Sequence, residues 1–190
     1  MLEEIPTTPS TRCVVFGPSD SGKTTFIMKY AISVLQENPD SVCLIFARKE
    51  KMMRKYFNTE KLDEQQLKTL NRLLFKWVSD KNSLLINISE LHLYYKEPIS
   101  LVIIEDLLEI VNQYQYQAII AHLMNAVETF KGCRIAVTLT PKHSVNILSF
   151  RYFMTHYVNT FYDKVSFGAF KKNSRKSELE MEDSLNIRST

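Results

Sequence analysis

Cys13-Val14-Val15-Phe16-Gly17-Pro18-Ser19-Asp20-Ser21-Gly22-Lys23-Thr24 is the stretch that decides the fold. From Gly17 to Thr24 it satisfies the pattern G-x-x-x-x-G-K-[ST]. An apolar run leads into the pattern and an amphipathic stretch over 25–35 follows it, which predicts strand, loop and helix in that order. In such a loop the backbone N–H groups of residues 17–24 point inward and form an anion nest, reinforced by the positive end of the helix. Lys23 adds a full charge against β- and γ-phosphates, and Thr24 offers a hydroxyl to Mg²⁺. The chain has four glycines, two of them in this loop. The ligand class that follows is a nucleoside triphosphate.

The surrounding sequence alternates between strand and helix signals. A strand is expected over 12–16, and its helix should stop at Asn38-Pro39. Ser41 to Ala47 is a continuous apolar run of strand length, as expected for a strand covered on both faces. Thr59 opens a polar helix carrying Leu62, Leu67 and Leu70. Residues 73–78 (LLFKWV) end that helix or form a strand, and their Phe, Trp and Val favour the strand. Residues 80–95 have helical spacing, closed by Pro98. Residues 101–104 form the next buried strand, and a long helix is predicted over 107–130, ending near Gly132. A strand at 134–140, a short helix at 145–153 and a strand pair at 157–162 and 165–170 complete the domain. This is an α/β pattern: a mostly parallel sheet flanked by helices, with an antiparallel strand pair at one edge near the C-terminus.

The acid that completes a phosphate site should stand at the end of a neighbouring buried strand. Leu101-Val102-Ile103-Ile104-Glu105-Asp106 has that form, four apolar residues and then acid. It suits a strand adjacent to the first. Alternation places Glu105 and Asp106 on opposite sides, so either can face Mg²⁺. If Glu105 does, Asp106 caps the next helix; if Asp106 does, Glu105 is free to orient an attacking water. Hydrolysis needs such a water-polarising group. The strand at 41–47 ends in Arg48-Lys49 rather than in an acid, so binding is indicated more firmly than turnover, and no catalytic residue is assigned.

The 190 residues, 45% of them hydrophobic, suit one domain over 11–170, with a loose lead-in at 1–10. Residues 171–190 are charged and apolar-poor, and are expected to be a disordered tail. The net charge of +3 permits nucleic-acid contact without arguing for it. No apolar run is long enough to span a membrane, and the N-terminus does not read as a signal peptide. Cys13, Cys43 and Cys133 have no metal-ligand spacing and read as reduced intracellular thiols, and the four histidines form no cluster. Arg48, Lys49, Lys51, Arg54 and Lys55, with Tyr56, form a basic cluster with an aromatic. Single-stranded DNA would use such residues for backbone neutralisation and stacking.

These parts together resemble the RecA/Rad51 ATPase core. Within it the chain is similar to the small Rad51 paralogues, of the kind that partner a SWIM-domain zinc protein in homologous recombination. The resemblance is carried by VVFGPSDSGKTT (14–25), SVCLIFARKE (41–50), SLVIIEDLLEIV (100–111), CRIAVTLT (133–140) and LSFRYF (148–153). It implies a P-loop NTPase fold of RecA-like type, with 17–24 as the Walker A loop and Glu105-Asp106 as Walker B, binding ATP and Mg²⁺. The catalytic Glu that recombinases place after the second strand is replaced here by Ala47-Arg48-Lys49. The resemblance further implies a nuclear accessory protein of DNA repair, a weak ATPase at most. It would work in a hetero-oligomer with a SWIM-domain protein or the recombinase. Two other readings compete: a small P-loop kinase of a nucleoside or metabolite, and another P-loop DNA-associated ATPase.

Overall fold

The computed structural model describes residues 12–48, 64–95, 97–112, 115–140, 160–163 and 171–174. In chain order these form β1 (Arg12–Phe16), α1 (Lys23–Glu37), β2 (Val42–Ala47), α2 (Glu64–Leu70) and β3 (Leu73–Trp77). Then come α3 (Lys81–Ser89), α4 (Leu91–Tyr94), β4 (Ile99–Ile104), α5 (Leu107–Ile110) and α6 (Tyr116–Val127). β5 (Arg134–Leu139), β6 (Thr160–Asp163) and β7 (Lys171–Ser174) follow. The strands make one sheet in the order β3-β2-β4-β5-β1-β6-β7. Every pairing is parallel except β6 with β7. The chain is therefore an α/β protein with a mostly parallel sheet flanked by helices.

Both faces of the sheet are covered because its central strands are apolar at every position. β2 and β4 are buried throughout. Alternation divides their side chains between two cores. Cys13, Val15, Ile45 and Ile103 meet Ile27, Ala31, Val34 and Leu35 of α1 on one side. Val14, Phe16, Phe46 and Ile104 meet Leu84 and Ile88 of α3 and Ile119 and Leu123 of α6 on the other. Burying a side chain of this size contributes about 1.5–3 kcal/mol, so the two layers fix the strand ends that carry the site.

Several boundaries differ from expectation, each for a local reason. The predicted helix over 107–130 is two helices. α6 buries Tyr116, Ile119, Ile120, Leu123 and Val127, one clean helical stripe. Continued backward, that stripe would fall on Glu109 and Asn112, which are exposed. The buried residues before it are instead Leu107, Leu108, Ile110 and Val111. The two stripes are out of phase, and the chain breaks at Val111, which is extended at φ −124° and ψ 156°. Residues 80–95 likewise divide at Glu90 into α3 and α4. Asp80 starts α3 as an N-cap, accepting the Ser83 N–H at 2.9 Å, and that bond holds its carboxyl below the usual range. Residues 73–77 are a strand, as their aromatic content favours.

The C-terminal edge holds the expected antiparallel pair, β6 with β7, at other bounds. β6 pairs with β1 in parallel, so only β7 runs antiparallel to the sheet. Residues 171–174, expected in the disordered tail, are β7 itself. The expected strand at 165–170, the helix at 145–153, the lead-in at 1–10 and residues 175–190 lie outside the described residues. No helix among the described residues is long and apolar enough to cross a membrane.

Candidate nucleotide-binding site

β1 delivers the loop to the carboxyl end of the sheet, and hydrogen bonding there fixes its start. Gly17 N–H donates to Leu139 O at 3.2 Å, tying the loop to the end of β5. Two residues then take left-handed backbone, Asp20 at φ 57° and Gly22 at φ 85°. Left-handed residues set among ordinary ones curl the backbone and turn successive N–H groups to one side, which is how an anion nest forms. Gly22 is the N-cap of α1 and makes no side-chain cap bond, and the first turn of α1 holds no acidic residue. The loop's positive end is thus left uncompensated by its own helix.

Lys23 is buried, at 5% exposed, and its ammonium donates to Gly17 O at 3.0 Å and Pro18 O at 2.8 Å. Burial lowers its pKa; Asp106 opposes that most strongly, followed by Glu105 and Asp20. Both acids of the Glu105-Asp106 pair therefore act on the loop lysine. Alternation along β4 predicts otherwise. The difference lies in the backbone of Asp106, which is left-handed at φ 45° and ψ 56° and turns the chain just after Glu105.

The two acids have separate partners. Thr24 Oγ1 donates to Glu105 Oε1. Glu105 is 6% exposed, and its Oε2 is buried with no hydrogen-bond partner among the described residues. Burial pushes the Glu105 carboxyl up from 4.5 to about 7, against the pull of the Thr24 hydroxyl and Lys23. Asp106 was expected to cap the following helix if Glu105 faced the metal, but it makes no side-chain cap bond to α5. Its Oδ1 accepts a hydrogen bond from Thr140 Oγ1, and its N–H donates to Thr138 Oγ1 at 2.7 Å.

β4 does not lie next to β1, as its acid end had suggested; β5 runs between them. Glu105 nevertheless reaches Thr24 across the end of that strand, and Thr138 and Thr140 of the intervening chain reach Asp106. Sequence reasoning missed these two threonines. The available signal was their spacing in RIAVTLT, two positions apart and so on one face of the strand.

The donor set fits a magnesium ion. Mg²⁺ keeps most of its waters and takes one or two carboxylates together with phosphate oxygens. A buried carboxylate oxygen with no partner among the described residues, beside a threonine hydroxyl, is suited to that role. No cluster of three or more His, Cys, Asp or Glu side chains suited to a metal occurs among the described residues.

Of the basic cluster, Arg48 alone is among the described residues. Its Nη1 donates to Glu109 O at 2.5 Å, at the end of α5. Lys49, Lys51, Arg54, Lys55 and Tyr56 lie outside them. Cys13 and Cys43 are buried free thiols and Cys133 is half-buried; burial pushes Cys13 and Cys133 up to about 12. His122 pairs with Ser89 at 2.9 Å. Compared with models of known protein families and with curated proteins, the sequence matches none.

Proposed function

We propose that the chain is a P-loop nucleotide-binding protein of RecA-like type, taking ATP with Mg²⁺ at residues 17–24. The observation that supports this best is the Thr24–Glu105 contact, with a second carboxylate oxygen buried beside it that has no partner among the described residues. The loop amides and Lys23 would hold the β- and γ-phosphates. Thr24 and Glu105 would hold the ion, which would supply charge neutralisation to the phosphates. Lys23 would exchange the carbonyls of Gly17 and Pro18 for phosphate oxygens.

By resemblance to small Rad51 paralogues, this nucleotide site would serve a nuclear accessory protein of homologous recombination. Its partners would be a SWIM-domain zinc protein or the recombinase, in a hetero-oligomer, with single-stranded DNA as a further ligand of the 48–55 segment. Calorimetric titration with ATP and Mg²⁺ tests the nucleotide half. Binding should be measurable in the natural chain and weakened about 100-fold or more in Lys23→Ala, because charge-assisted bonds to phosphate are among the strongest polar contacts. Equal affinity in both proteins would refute the site. Purification from native cells tests the partner half: a co-purifying SWIM-domain protein supports it. ATP consumption that depends on a small acceptor would favour a kinase instead.

A further inference from the structure

We propose that the outer faces of α3 and α6 dock a second copy of this chain, related by a two-fold axis parallel to those helices. The face lies on the side of the sheet away from α1, and the inference does not depend on the nucleotide site.

A helix packed on a sheet ordinarily turns charged side chains to water. α1 does so, with Lys29 and Glu37 exposed. α6 contains no Asp, Glu, Lys or Arg from Tyr116 to Val127, and its exposed residues are Gln117, Ala118, Ala121 and Asn125. The charge on α3 is Lys81 alone, at its first residue. Ile86 and Ser89 are exposed on α3, and Leu93 of α4 follows seven residues after Ile86. Ile86 is 56% exposed and Leu93 67%, the two most exposed large apolar side chains among the described residues. Depletion of charge around exposed apolar side chains marks the centre of a protein interface.

The relief of the face selects the occupant. α3 and α6 each lead from one strand to the next in the parallel part of the sheet, so they run the same way. Ser89 meets His122 at 2.9 Å, which fixes their axial register. Ile86 stands three residues before Ser89, and Ala118 and Ala121 stand four and one before His122. Both helices rise about 1.5 Å per residue, so Ile86 is level with the gap between the two alanines, about one helix spacing away. A ridge and a hollow of equal height thus lie side by side. A two-fold axis parallel to the helices keeps height and exchanges α3 with α6. It sets Ile86 against Ala118 of the partner subunit and Ala121 of the partner subunit, twice over, with Leu93 beside Asn125 of the partner subunit. A two-fold interface must be complementary to itself, and this face is. Charge agrees. Glu90, half-buried at the break between α3 and α4, meets an uncharged α6 rather than its own copy. Both sheets then point the same way, and the two loops at 17–24 open on one side of the dimer. The face measures about 20 by 20 Å in outline, at the small end for a specific interface, so the dimer is a micromolar one.

The test is sedimentation equilibrium of the full-length chain without nucleotide. The natural chain should dimerise with a Kd in the micromolar range. Ile86→Glu should weaken dimerisation about 30-fold or more, as expected of a central interface residue. Ile86 is exposed, so the variant should fold, and a thermal melt checks that it does. Leu67→Glu alters an exposed apolar residue of α2, on the α1 side of the sheet, and should leave dimerisation unchanged. Mild oxidation of an equal mixture of Ile86→Cys and Ala121→Cys chains should give a disulfide-linked dimer that neither variant forms alone. A natural chain that stays monomeric at millimolar concentration would overturn the inference, even if another protein covers the face. So would an Ile86→Glu chain that dimerises as the natural chain does. Ile86→Cys chains that link to one another would overturn the two-fold arrangement.

Discussion

The two ends of the sheet treat polar groups in opposite ways. At the amino end of the strands several charged and polar groups near the core are paired. Arg72, just before β3, spreads its guanidinium over the end of α1, donating to Leu35 O at 3.0 Å and to Asn38 O, Pro39 O and Ser41 O at 2.9, 2.7 and 3.2 Å. Carbonyls at a helix end otherwise lack partners, and a planar fork can serve several of them at once. Ser41 and Ser100 bond each other at 2.8 Å, and Arg134 meets Glu37 at 2.7 Å. At the carboxyl end a lysine is buried against backbone carbonyls, a carboxylate oxygen is buried with no partner among the described residues, and two aspartates sit in left-handed backbone. One end stabilises the fold; the other carries destabilising features that a ligand would relieve. Substitutions at the two ends should therefore change stability with opposite signs.

The largest effect is expected at Glu105. Its folded pKa, about 7, lies above its ordinary 4.5. The stability linked to this group is full below pH 4.5, declines as pH rises toward 7 and is flat beyond. Glu105→Gln should therefore raise stability at pH 8 by about 3 kcal/mol and leave it little changed at pH 4. Denaturant melts at the two pH values check this, and equal effects at both would break the contrast. Magnesium with nucleotide should remove most of the natural chain's pH dependence, because a bound cation favours the charged carboxylate.

Arg72→Ala should act in the other direction, lowering stability by about 2 kcal/mol through its lost charge-assisted bonds. Lys at that position should recover little of it, since an ammonium lacks the fork. Gly132→Ala comes next. Gly132 has φ +78° and open space around an added Cβ, so its cost is conformational alone, about 1 kcal/mol. Glu37→Gln should change the melting midpoint least, by under about 1 kcal/mol, because Glu37 is half-exposed and surface ion pairs contribute little. A stabilising result at Arg72 or Gly132 would dissolve the distinction between the ends.

Much of the architecture was legible where one signal dominated. The apolar runs at 13–16, 42–47 and 101–104 are strands because nothing but burial on two faces suits them. The glycine and lysine pattern identified the loop, and the acid at the end of β4 is the one that Thr24 meets. What stayed hidden depended on geometry between distant residues. Nothing near Glu105 reveals that β5 slips between its strand and β1. The Asp106 turn is a backbone choice that alternation cannot anticipate. The split between α5 and α6 was readable in principle, from the phase mismatch between Val111 and Tyr116, but apolar content alone suggested one helix. Residues 171–174 have the composition of a tail and offer no core, yet an outermost strand needs little core of its own.

The central claim is that the curl from Gly17 to Thr24 grips a triphosphate. A crystal structure grown with Mg²⁺ and a slowly hydrolysed ATP analogue tests it most directly. The expected result has phosphate density ringed by the loop amides, the Lys23 ammonium moved off the Gly17 and Pro18 carbonyls onto phosphate oxygen, and a cation between Thr24 and Glu105. Lys23 still bound to those carbonyls, with the nucleotide bound elsewhere on the surface, would contradict it.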